Sequence, residues 1–222
     1  MLRSIGSGLV ALALTAIAYV APASASIVLQ TANGSGGNQV GYSVGLVFQV
    51  NSAVTVDQLG MYDSGGDGFM AAAESPLSAY LMNTGGTVLA SATFYTGSSG
   101  ALDTASGYRF KSIAPLTIGP GFYYLMGYGF SSADPEHNSF LDGMPDTFNH
   151  GGGLLSFVFS AYTSDVSVGA LPDTYGSPDY FSAANMTYST AAEVPEPTSF
   201  AILVTSALAA AGLRGRARRD TV

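Results

Sequence analysis

Asp63-Ser64-Gly65-Gly66-Asp67-Gly68, followed by Phe69 to Glu74, is the stretch whose residue types and spacing point most directly to chemistry. Set against the calcium loop D-x-[DN]-x-[DN]-G-x5-E, it matches at Asp63, Asp67, Gly68 and Glu74 and departs at Gly65, where a carboxylate or amide is wanted. Calcium takes six to eight oxygens, and a glycine-rich turn lets backbone carbonyls join carboxylates. The flanking residues read as strands, so the pattern fits an inter-strand cation loop and not an EF-hand. A Gly/Asp turn whose aspartates hold their own backbone uses the same residues.

Three further groups invite chemical readings. Gly41-Tyr42-Ser43-Val44-Gly45 spells a nucleophile elbow, but the elbow needs a strand, a sharp turn and a helix, and here the letters fall inside an alternating strand. His137 and His150 share a loop-rich segment with Asp134, Glu136, Asp142 and Asp146, a mixed set that matches no zinc spacing. A hydrolase would need a cleft joining one of these histidines to a nucleophile or to a carboxylate pair. Phe122, Tyr124, Met126, Tyr128 and Phe130 alternate along one strand face. Such a stripe is first a core face and second a platform on which sugar rings stack.

These residues must be positioned by strands. Tyr42, Val44, Leu46, Phe48 and Val50 recur at period two, and Val54 to Tyr62 continues the pattern. Leu77–Met82 and Val88–Tyr95 flank Asn83-Thr84-Gly85-Gly86, a hairpin turn. Tyr108–Ile113, with Arg109 and Lys111 facing outward, Phe122–Phe130, Leu154–Tyr162, Val166–Leu171 and Tyr180–Tyr188 complete roughly nine strands. Phe69 to Glu74 is the one helix-like piece, too short to stand alone. The pattern predicts an all-β fold: an antiparallel two-sheet sandwich, jelly-roll-like.

The two ends differ from the body. Arg3, the apolar run Leu9 to Val20 and the small-x-small site Ala23-Ser24-Ala25 read as a signal peptide over residues 1–25, with a mature chain starting at Ser26. Residues 193–222 hold Val194-Pro195-Glu196-Pro197, then an apolar run Thr198 to Leu213, then Arg214, Arg216, Arg218 and Arg219. That run reads as a short transmembrane helix, made adequate by bilayer thinning and snorkelling arginines. The arginines keep the tail cytoplasmic and the body exported. Pro195 and Pro197 hold the preceding segment extended, where a processing enzyme can grip it.

The body, residues 26–192, suits one domain. The chain has fifteen Asp+Glu and seven Lys+Arg. Glu193, Glu196 and Asp220 lie outside the body, as do Arg3 and the four tail arginines, which leaves twelve acids against Arg109 and Lys111. A net charge of about −10 repels nucleic acid and anionic lipid and suits cation binding or simple colloidal solubility. There is no cysteine and no tryptophan, and there are thirteen tyrosines.

The tripartite end, Pro195-Glu196-Pro197, apolar run and Arg214 to Arg219, closely resembles the PEP-CTERM sorting signal of Gram-negative bacteria. The resemblance implies export through the secretion translocon and a transient stay in the inner membrane. Exosortase would then cut near Pro195-Glu196-Pro197 and pass the protein to the cell surface or the extracellular space, alongside exopolysaccharide. A second resemblance covers about Gly41 to Phe130. Leu59-Gly60-Met61-Tyr62-Asp63 with Gly66-Asp67-Gly68, Gly86-Thr87-Val88-Leu89-Ala90, Tyr108-Arg109-Phe110 and Ile118-Gly119-Pro120-Gly121-Phe122-Tyr123 look like an uncharacterised β-sandwich domain of exported PEP-CTERM proteins, similar to the DUF4082 domain. It implies a sandwich and no established activity. The expectation is a non-enzymatic structural or adhesive surface protein. The alternative is a module that binds exopolysaccharide, calcium-assisted through Asp63, Asp67 and Glu74.

Overall fold

The computed structural model describes residues 25–30, 37, 41–70, 76–137, 147–176 and 181–191. The signal segment up to Ser24, Glu74, Asp142, Asp146 and the whole tail from Ala192, with its expected membrane helix, lie outside the described residues. Among the described residues no helix is long and apolar enough to cross a membrane.

The strands in chain order are β1 (Ser26–Ile27), β2 (Leu29–Gln30), β3 (Ser43–Val50), β4 (Val54–Tyr62), β5 (Leu77–Asn83), β6 (Val88–Phe94), β7 (Ala101–Asp103), β8 (Tyr108–Ile118), β9 (Gly121–Tyr128), β10 (Thr147–Phe148), β11 (Leu155–Thr163), β12 (Thr174–Gly176) and β13 (Ala184–Thr190). One antiparallel sheet runs β1-β13-β4-β8-β7, a second β12-β11-β3-β9-β5-β6, and β10 pairs with β2. The fold is all-β, with two antiparallel sheets facing across one apolar core.

That core follows from alternation. Val44, Leu46, Phe48 and Val50 of β3 point inward with Leu77, Ala79 and Leu81 of β5 and Leu125 of β9. Val54, Val56, Leu59 and Met61 of β4 and Met186 and Tyr188 of β13 meet them from the other sheet. Each fully buried aliphatic side chain contributes about 1.5–3 kcal/mol. The β5–β6 turn is built as its sequence predicts: Asn83 Oδ1 accepts from the N–H groups of Gly85 and Thr87, and Gly86 takes φ +82°.

Two expected elements differ. Val166–Leu171 is no strand: Ala170 N–H bonds the Ser167 carbonyl in a turn, Gly169 takes φ +86°, and the short β12 follows. Ala170 is buried over the outer face of the six-stranded sheet, where Tyr80 Oη donates to its carbonyl, while Val166, Val168 and Leu171 stay about half-exposed. The strand from Tyr108 runs on past Ile113 to Ile118. Its register to β4 jumps from Gln58↔Ser112 to Val56↔Leu116, so Pro115 sits in a bulge, where its missing N–H does not break the ladder.

Candidate functional site

The turn after β4 is held from inside. Asp63 is 2% exposed. Its carboxylate accepts from Gly68 N–H at 3.1 Å and from Arg109 Nε at 2.5 Å, while Asp63 N–H bonds the Gly107 carbonyl. Arg109 also donates Nη1 to the Gly100 carbonyl and Nη2 to the Gly66 carbonyl. The ladder explains the meeting: Met61 of β4 pairs with Arg109 of β8, which brings the arginine to the strand end where Asp63 begins the turn. Register partners share a face, so Arg109, opposite the core residue Met61, stands on the inward side of β8 at 7% exposure, and the outward placement expected for it does not hold. Gly68, at φ +99°, packs so close to Gly97 that a Cβ would stand 3.0 Å from its backbone.

Of the candidate cation ligands, Asp63 therefore already faces a guanidinium. Asp67 is exposed, and Glu74 lies outside the described residues. Among the described residues no group of three His, Cys, Asp or Glu side chains is arranged to hold a metal ion. The local geometry is that of an Asp-stapled turn locked by an arginine.

Asp134 enters the same neighbourhood from the far side. Its Oδ1 accepts from Met70 N–H at 2.8 Å, and its Oδ2 is buried with no hydrogen-bond partner among the described residues. Burial pushes its pKa up, the Met70 N–H opposes this, and the Asp63 and Asp67 carboxylates add to the rise. No local motif marked Asp134 for this place. The Ser131 hydroxyl, which accepts from the Asp134 N–H and so forms the turn that orients it, is the only local signal.

The elbow and histidine readings separate in space. Ser43 opens β3 and is fully buried, and its Oγ donates to the Asp165 carbonyl at 2.6 Å. His137 is also fully buried, its ring edge-on to Tyr62 at 5.2 Å and its carbonyl bonded by Ser182 N–H. His150 is exposed, packs on Phe148 at 5.1 Å and places Nδ1 3.2 Å from the Leu155 carbonyl. His137 thus adjoins the last residue of β4, and His150 the strand end where Leu155 pairs with Val50. About 25 Å of strand lies between those two ends.

The aromatic stripe divides. Phe130 and Leu125 join the inner core, whereas Tyr124 and Met126 are buried on the outer face with Val47, Tyr80, Met82 and Ala161. Burial pushes the hydroxyls of Tyr80 and Tyr124 up to about 12, the second also through its contact with Tyr175. Phe122 remains half-exposed at 49% and Tyr175 at 50%. Tyr175 was not singled out by the sequence pattern, because β12 has only three residues and no readable period. No protein family, curated protein or solved structure gives a significant match to this chain.

Proposed function

We propose that this is an exported, non-enzymatic β-sandwich protein of jelly-roll type. It would be sorted by exosortase through Pro195-Glu196-Pro197, the apolar run and the terminal arginines, and act structurally or adhesively at the cell surface or in the matrix. The observation that carries the reading is the tripartite tail attached to an all-β body. The nested pairing of β3 with β9 and of β4 with β8 supports the jelly-roll assignment. The non-enzymatic assignment is supported by Ser43, whose hydroxyl is given to a backbone carbonyl, and by two histidines at opposite strand ends. Intact mass of the protein from the surface fraction tests the sorting claim. A chain ending near Pro195-Glu196-Pro197 is expected; a mature protein that still carries Arg214 to Arg219 would overturn it.

A second reading, a polysaccharide-binding module, is favoured by one observation: the half-exposed rings of Phe122 and Tyr175 at the outer face of the six-stranded sheet. It draws no support from the Asp63 turn, whose carboxylate is committed to Arg109.

A further inference from the structure

The outer face of the six-stranded sheet is only partly roofed. Across it, one row of register partners holds Phe159 of β11, Val47 of β3, Tyr124 of β9 and Met82 of β5. The adjacent row holds Ser156, Gln49 and Phe122. The loop between β11 and β12 covers the Tyr80 part of this face through the Ala170 carbonyl. Tyr175 then turns its ring edge-on against Phe159 at 4.8 Å, and its hydroxyl lies 3.5 Å from that of Tyr124. Beyond Tyr175 the roof ends, and Phe122 stands half-exposed.

We propose that Phe122, Tyr124 and Tyr175, with Gln49 beside them, form a platform for a neutral polysaccharide chain. This inference rests on the polysaccharide-binding reading and names its site and ligand class. Size and charge choose the occupant. Two half-exposed rings offer about 200 Å² of aromatic surface, far below the ~800 Å² per partner of a stable protein interface. That area suits one or two sugar rings, whose C–H faces pack on aromatic carbons while their hydroxyls meet phenol and amide groups. The two basic residues of the body are both committed elsewhere, Arg109 to Asp63 and Lys111 to the Thr93 carbonyl. Asp173, two residues before Tyr175, adds negative charge beside the strip. An anionic polymer therefore meets no counter-charge here, whereas a neutral chain pays no electrostatic penalty.

The test uses the mature exported chain in affinity electrophoresis through gels containing dextran, a β-1,3-glucan, galactomannan or the anionic polymer alginate. Binding is quantified by intrinsic tyrosine fluorescence, which no tryptophan obscures. At least one neutral polymer is expected to retard the protein and alginate is not. Phe122→Ala and Tyr175→Ala are expected to weaken retardation about tenfold or more, with Tyr175→Phe between them and wild type. Unchanged melting temperatures establish that the variants are folded. No retardation by any neutral polymer, stronger retardation by alginate, or equal retardation of wild type and both alanine variants overturns the platform. None of these outcomes bears on the sorting claim, which intact mass decides by itself.

Discussion

Replacing Arg109 with methionine tests whether the turn after β4 is locked from inside. Methionine fills most of the stem volume and removes one buried cation with its three hydrogen bonds, to Asp63, Gly66 and Gly100. Asp63, at 2% exposure, is then left as a buried carboxylate without its counter-ion. Breaking such a pair from one side costs about 3–5 kcal/mol, because desolvation of the remaining charge is no longer offset. For a domain of this size each kcal/mol moves the midpoint by roughly 2–4 °C, so Arg109→Met is expected to melt about 6–20 °C below wild type. Asp63→Asn in the same background removes the stranded charge. The double variant is expected to be more stable than the sum of the single losses implies, with a coupling of at least ~1 kcal/mol. Circular dichroism melts and urea titrations of the four proteins read both quantities. A single variant that melts within about 3 °C of wild type, or two losses that simply add, would refute an internal ion-pair lock.

Other perturbations probe separate features. Asp134 has a folded pKa raised above its unfolded value, so the folded state binds its proton more tightly. Stability should therefore fall as pH climbs from the ordinary carboxylate range through the raised folded value, and Asp134→Asn should flatten that slope in urea titrations at several pH values; an unchanged slope would contradict it. Gly45→Ala would place its Cβ 2.1 Å from the Leu125 carbonyl oxygen, and a loss of about 1–3 kcal/mol or insoluble protein is expected from forcing β3 and β9 apart; a wild-type melt would count against the close approach. Millimolar calcium, or its removal by chelator, is expected to leave the melting temperature unchanged, since Arg109 already supplies the positive charge beside Asp63. A calcium-dependent rise of several degrees would place a cation in that turn after all.

How much of this was legible depended on range. Local pattern was enough for β3, β4 and the β5–β6 hairpin, because period two and the Asn83-to-Gly86 turn are properties of neighbouring residues. Val166–Leu171 misled for the same reason. The segment is a loop that touches the outer sheet face through Ala170, and composition alone does not separate such a loop from a strand. The lower half of β8 was hidden behind Pro115, which reads as a stop until the bulge opposite Asp57 is known. The Asp63–Arg109 pair spans 46 residues and appears only once β4 and β8 are laid in register. Alternation alone had put Arg109 on an outward face, so its burial against Asp63 was not legible. Tyr175 belongs to the outer face through tertiary placement alone.

The pairing of β1 with β13 fixes where the described fold begins and ends. Ser26 lies opposite Tyr188, and β13 finishes with Thr190 opposite Val54, beside the Ala191 N–H bonded to the Ala53 carbonyl. Entry and exit of the folded unit thus share one pole, while the Asp63 turn crowns the other, nearly thirty ångströms off along β4. A tether joined at either terminus grips the same corner. On the sorting proposal, a cut beyond Ala191 would fall outside β13 and leave every pairing of the described ladder in place.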